Sequence, residues 1–394
     1  MKESPFKTEV IELNMGPQHP ATHGVLRIRL YLDGEMVLKA EPVIGYLHRG
    51  SEKIMENVNY MQAMVWTDRM DYLAPLLNNF GYIIAVEKLL NVVPPLRAQY
   101  IRVMLAEFSR IGSHLVWLGT HLLDLGFMTP LMYCFREREK ILDLLEEVSG
   151  QRMNNSFYRI GGVAGDLPEG WAERALDFLD SFEDSLSDIE KMAYDNEIFL
   201  LRTKNVGIIP LPLAIELSLT GPVLRGSGLA WDIRRAFPYS SYDHFDFEIP
   251  AGEKGDVYDR FYVRMQEMKQ SVKIIRQAIE NLPDGGILLN DFKIVPPPKT
   301  RLYESIEEMV HHFKLVTEGI KPPRGEVYAS VEGAKGELGF YIVSDGSSKP
   351  YRVRVRPPSF YNMQALEHIL PGNLISDVVA IIGSLDPVLG EVDR

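Results

Sequence analysis

Cysteine is almost absent from this chain. Its 394 residues include one, Cys134, so no disulfide can form within it, and it cannot supply the four thiolates of a usual iron–sulfur cluster. Long apolar runs are missing too: stretches such as Tyr82 to Val86 and Leu374 to Gly383 fall well short of the roughly 20 residues that span a bilayer. The opening Met1-Lys2-Glu3-Ser4-Pro5 lacks the long apolar core of a signal peptide. There is no surplus of positive charge: 42 basic against 54 acidic residues leave −12, which gives no overall attraction to nucleic acid or anionic lipid. Any redox centre or membrane contact is therefore expected to come from partners, with the chain itself on the cytoplasmic side. Fixed-period repeats and low-complexity segments are also lacking. What remains is a 46% hydrophobic sequence long enough for a large core.

The pattern along the chain is mixed. Thr8 to Leu13 and Val25 to Leu32 read as strands, and Asp33-Gly34 signals a hairpin before a third strand, Met36 to Val43. Gly16 to Gly24, rich in glycine, proline and histidine, reads as a loop at the end of that sheet. From about Ser51 to Asn281 the spacing turns helical, with helices expected at Met70–Leu90, Leu96–Leu125, Leu131–Val148, Trp171–Tyr194 and Tyr258–Asn281. Arg110, His114, Trp117, His121 and Asp124 fall on one stripe of the second of these. Arg225 to Gly255 reads as a long packed loop. Gly325 to Arg356 reads as a second β-rich stretch, and Leu366–Ile382 as helix broken at Pro371-Gly372.

Several segments carry a family resemblance. The chain closes on Asp386-Pro387-Val388-Leu389-Gly390-Glu391-Val392-Asp393-Arg394, which resembles the end of a nickel–iron hydrogenase large subunit with Val388 and Glu391 in place of two thiolates. Arg49-Gly50-Ser51-Glu52 resembles the hydrogenase Arg-Gly-x-Glu, yet Thr67-Asp68-Arg69-Met70-Asp71-Tyr72 replaces the cysteine pair that should follow. A soft nickel–iron site needs thiolates. With Gly16-Pro17-Gln18-His19-Pro20-Ala21-Thr22-His23-Gly24, Gly45-Tyr46-Leu47-His48-Arg49-Gly50, Leu224-Arg225-Gly226-Ser227-Gly228, His311-His312-Phe313-Lys314 and Val343-Ser344-Asp345-Gly346-Ser347-Ser348, these motifs resemble the 49-kDa (or D) subunit family of NADH:quinone oxidoreductase, respiratory complex I. The resemblance implies an α+β, hydrogenase-large-subunit-like fold in a single domain over 1–394: a β-rich part at 1–45, a helical core at 46–285, a β-rich part at 286–360, and a C-terminal helix and tail at 361–394.

It also implies a function. The chain would be the quinone-binding subunit of a proton-pumping complex I, peripheral on the cytoplasmic side of the bacterial plasma membrane. It would meet the B, C and I subunits of that complex and the H subunit of its membrane arm. A 4Fe-4S cluster held by the B subunit would pass electrons to the quinone, and this chain would hold no metal or cluster itself. Residue by residue, the motifs imply that His23 and Tyr72 bind and protonate the quinone, that Asp124 charges and orients His23, and that Arg69 lies near the partner's cluster. Arg49 and Glu52 would belong to a proton path. Asn154 in Gln151-Arg152-Met153-Asn154 stands where many members have a histidine near that cluster, and since an amide cannot gain a proton, a low-potential quinone such as menaquinone is expected. Residue type and spacing alone give plainer readings: a capping loop histidine for His23, a core tyrosine for Tyr72, a backbone-bonding Asp124, a surface salt bridge for Arg69, and an internal ion pair for Arg49 and Glu52. His114 and His121 read as core histidines rather than zinc ligands. The alternatives are a membrane-bound hydrogenase large subunit, disfavoured by the missing cysteines, and a scaffold without catalytic residues.

Overall fold

The run Leu96–Asp124 forms the central helix. Pro95 fixes its extended entry, and no proline occurs inside to break the hydrogen-bond ladder. Its middle is buried almost all round, as an interior helix must be. The computed structural model describes residues 9–17 and 24–394. Helices Pro75–Leu90, Met128–Ser149, Val257–Glu280 and Ile375–Leu385 pack against the central helix. Gly119 lies in the contact with helix Met128–Ser149: a Cβ there would lie 2.9 Å from the Leu131 side chain and 3.3 Å from Cβ of Cys134. Glycine alone admits that approach. On the opposite side the Trp117 indole donates to the Gly383 carbonyl at 2.7 Å, tying the core to the C-terminal region.

Two antiparallel meanders complete the α+β fold. The first runs Ile11–Met15, Arg27–Asp33, Met36–Val43, and Asp33 pairs with Met36 across the Asp33-Gly34 turn as expected. The second runs Gly325–Gly333, Gly336–Ser344, Arg352–Arg356 and lies on helix Pro75–Leu90, where Tyr82 and Phe340 meet edge to face at 5.8 Å. Its side chains join the main helical core. A second apolar cluster joins Leu26, Ile28 and Leu30 of the first meander to Ile381, Ile382 and Leu385. Residues from the two ends of the sequence thus share one packed region.

Element positions differ from the sequence reading in several places, beginning with the first strand, expected at Thr8 to Leu13 and found at Ile11–Met15. The helix expected from Met70 begins at Pro75, because Asp71 folds the preceding residues into a turn by accepting the N–H groups of Leu73 and Ala74. Arg225 to Gly255 is packed as expected but contains short helices, among them Ile233–Ala236. The stretch 286–360 is not β-rich throughout, since Ile306–Thr317 is an amphipathic helix ahead of the strands. Helix Trp171–Tyr194 has the expected limits.

Candidate functional site

The two hydrogenase-like signatures, far apart in sequence, meet in space. Arg49 precedes helix Ser51–Met55, and its guanidinium donates to the carbonyl of Arg69. Gly390 sits against the same point: a Cβ on it would lie 2.7 Å from the Met70 carbonyl oxygen and 3.1 Å from Nη2 of Arg49. A side chain here would push on backbone, so the glycine lets the short helix Leu389–Asp393 close over the Arg69–Tyr72 turn. Asp393 seals the other side, accepting from the N–H groups of Gly45 at 2.8 Å and Leu47 at 2.7 Å.

Within that turn the four motif residues divide. Met70 and Asp71 are buried, while Arg69 and Tyr72 reach outward. Arg69 donates from Nη1 to the Val65 carbonyl at 2.7 Å, so its head is held by the backbone of its own helix end. The plain reading of Arg69 as half of a surface salt bridge does not describe this contact. Tyr72 is 38% exposed rather than a core tyrosine. Burial, then the charges of Asp71 and Asp386, raise its phenol pKa against the pull of Arg49, so the hydroxyl stays protonated at neutral pH.

A narrow cleft opens beside Tyr72, lined also by Ser109, Arg138, Arg152, Met153 and Asn154. Tyr72 and Asn154 are thus brought together. Asn154 has φ 54°, a left-handed conformation that asparagine and histidine tolerate better than most residues. Its Oδ1 is buried with no hydrogen-bond partner among the described residues. Asp124 ends the central helix, half-buried. His23 lies outside the described residues, and so does its pairing with Asp124. Arg49 and Glu52 do not form the ion pair of the plain reading: Glu52 instead accepts from the Val355 N–H at 2.9 Å and pairs with Arg354 and Arg394, each at 3.3 Å.

Behind Tyr72 lies a buried charged cluster that the sequence reading did not assemble. Lys335, in the turn between two strands, contacts Asp386 at 2.5 Å and donates to the Ser113 hydroxyl at 2.7 Å. Glu391 accepts from Ser359 Oγ at 2.6 Å. Deeper, His114 Nε2 meets Glu267 at 3.0 Å, and burial pushes its imidazole down to about 4, so it is the neutral core histidine expected. His121 stacks on Trp117 at 5.3 Å. Cys134 lies in the seam beside Gly119, its thiol pushed up to about 12 by burial. Among the described residues no group of three or more His, Cys, Asp or Glu side chains is arranged to hold a metal ion. No local sequence signal marked the cluster, since Lys335 lies in a strand turn where a lysine is ordinarily solvated.

Comparison with known proteins agrees with this architecture. Residues 124–394 match the family model described as respiratory-chain NADH dehydrogenase, 49 Kd subunit. The NADH-quinone oxidoreductase D subunit of Geotalea uraniireducens is 54% identical over 387 residues, covering 98% of this chain and 99% of that one. The D subunit of Thermus thermophilus is 53% identical over 389 residues, covering 99% of this chain and 95% of its own length. That of Geobacter metallireducens is 51% identical over 387 residues, covering 98% and 99%. With the fold, the converging signatures and these near full-length matches in hand, the chain belongs to the 49-kDa subunit family of complex I.

Proposed function

We propose that this chain forms the quinone-reducing site of a proton-pumping complex I together with a B subunit that carries the terminal 4Fe-4S cluster. The observation that carries the reading is Tyr72: a protonated phenol at the rim of a cleft, on a turn clamped by Arg49 and Gly390. Quinone reduction takes two electrons and two protons, and a hydroxyl fixed at the edge of a partly apolar cleft can donate to a carbonyl oxygen as charge builds there. The partner's cluster supplies the electrons. On this side Tyr72 offers a proton, His23 is proposed as the second donor with Asp124 holding it, and Arg69 presents a fixed positive charge at the surface where the B subunit would dock. The C, I and H subunits are proposed as the further neighbours. No helix of the described residues is long and apolar enough to cross a membrane, which fits contact with the bilayer through partners, on its cytoplasmic face.

The test is Tyr72→Phe in the assembled complex. The ring remains and the hydroxyl goes, so assembly persists while quinone reduction falls by about tenfold to a hundredfold, the equivalent of roughly 1–3 kcal/mol. Full activity in an assembled Tyr72→Phe complex would overturn the reading.

A further inference from the structure

Of the basic side chains on helix Met128–Ser149, Arg138 is the one that meets no carboxylate among the described residues. Arg136 and Lys140 both pair with Glu137, at 2.7 and 2.8 Å, and the neighbouring carboxylates Glu139 and Asp143 are taken by Arg152. The Arg138 guanidinium lies 6.0 Å from the Phe135 ring and has no hydrogen-bond or ion-pair partner among the described residues. It is half-buried and lines the same narrow cleft as Tyr72. Two more polar groups of that cleft are unpaired among the described residues: the buried hydroxyl of Ser109, on the central helix, and Oδ1 of Asn154. Native folds rarely leave such groups without a partner, and their meeting in one cleft points to a polar ligand. We propose that Arg138 holds the quinone oxygen that becomes negative as electrons arrive, beside the proton donor Tyr72. This rests on the quinone-site reading above.

A guanidinium suits that task. It is planar, presents its N–H groups in a fixed fork and stays charged at any physiological pH, so it can stabilise an oxyanion without giving up a proton. Burial presses the Arg138 pKa below the ordinary arginine value, Glu139 opposes this and Arg152 adds to it. An anion arriving in the cleft therefore meets a cation with no counter-charge in contact. Phe108, Ile141, Leu142 and Leu145 supply apolar wall around it, and a low local dielectric strengthens the attraction. A cleft this narrow admits the oxygen-bearing edge of a ring rather than a whole headgroup. Electrons and protons balance as follows. The partner's cluster supplies both electrons, Tyr72 Oη gives one proton to the oxygen held by Arg138, and the other oxygen takes its proton from the second donor, proposed as His23. Solvent returns the proton to Tyr72, which is partly exposed. Arg138 donates hydrogen bonds and exchanges neither electron nor proton.

The experiment compares the native complex with Arg138→Met, Arg138→Lys and Tyr72→Phe, using a short-chain benzoquinone and a short-chain naphthoquinone, whose potential is lower. Arg138→Met strands no carboxylate, so the purified chain keeps its resistance to urea and the complex assembles. Its rate at saturating quinone falls by about a hundredfold, as for loss of an oxyanion donor. The fall is larger for the naphthoquinone, which has less driving force to spare, and KM changes little because the contact strengthens only as charge develops. Arg138→Lys, with the charge but not the fork, recovers part of the rate. A native rate in assembled Arg138→Met, an equal loss with both quinones, or no recovery in Arg138→Lys overturns the proposal. Loss of the B subunit from a folded Arg138→Met chain also overturns it, since Arg138 would then be a docking contact. Should the methionine chain fail to fold, Arg138→Gln is read in the same way. If Tyr72→Phe is slow while Arg138→Met is native, the quinone-site reading survives; native activity in Tyr72→Phe overturns both.

Discussion

Replacing Arg225 by methionine removes the hub of the deepest charged network. Arg225 is fully buried and contacts Glu267 at 2.6 Å and Glu332 at 2.8 Å, while also donating to the Trp231 carbonyl at 2.8 Å. Burial opposes the ionisation of Glu267, yet Arg225 and then the His114 hydrogen bond hold its carboxyl well below the usual range. Glu332 is already raised, by burial and by Asp232 against the pull of Arg225, so it can escape by taking a proton. Glu267 has less freedom. Breaking a buried pair and stranding one charge costs about 3–5 kcal/mol, a large part of the roughly 5–15 kcal/mol that holds a native protein together. Urea unfolding of the purified chain at pH 7 should read a loss of about that size. The pH dependence gives a sharper check. A depressed Glu267 pKa contributes stability above its unfolded value of about 4.3, and that contribution is lost as pH falls through the folded value. Since Arg225→Met removes most of the depression, the gap between native and variant should hold from pH 7 down to about 4.3 and narrow below it. A loss below about 1 kcal/mol, or a gap that widens on acidification, would refute the reasoning.

Two other outcomes are expected. If Asp124 orients and charges His23, the double replacement His23→Ala/Asp124→Asn should slow quinone reduction little more than the worse single change, whereas additive losses would mean separate roles. Asn154→His fits the left-handed backbone at that position and, if Asn154 faces the partner's cluster as proposed for this family, adds a group that can bind a proton there. Redox titration of the complex should then show a higher and more pH-dependent cluster potential, by about 60 mV per pKa unit of linkage, and no change would leave Asn154 as a packing residue.

What the sequence made legible was local. The start of the central helix at Leu96, the Asp33-Gly34 hairpin and the limits of Trp171–Tyr194 were readable from local sequence, and each is found in place. The family resemblance singled out Arg49 and the Arg69–Tyr72 turn without pairing them, and it is the fold that brings them together under Gly390. The charged cluster escaped both. Lys335 sits between strands in a turn, where a lysine is ordinarily solvated, and only the tertiary fold carries it to Asp386. The late start of the helix at Pro75 was readable in principle, because proline is at home in a first turn and the Asp71 turn precedes it.

The clasp between Asp393 and the Gly45–Leu47 turn spans 348 residues. The C-terminal part of what shapes the Tyr72 turn, from Asp386 through Gly390 to Asp393, leaves the ribosome after Arg49, Asp71 and Lys335. The closure of this C-terminal wedge over the turn is therefore a late, long-range event with its loop-closure cost still to be met. A chain cut short before Asp386 would retain most of its helices and both meanders yet lack the wedge that sets the Tyr72 turn.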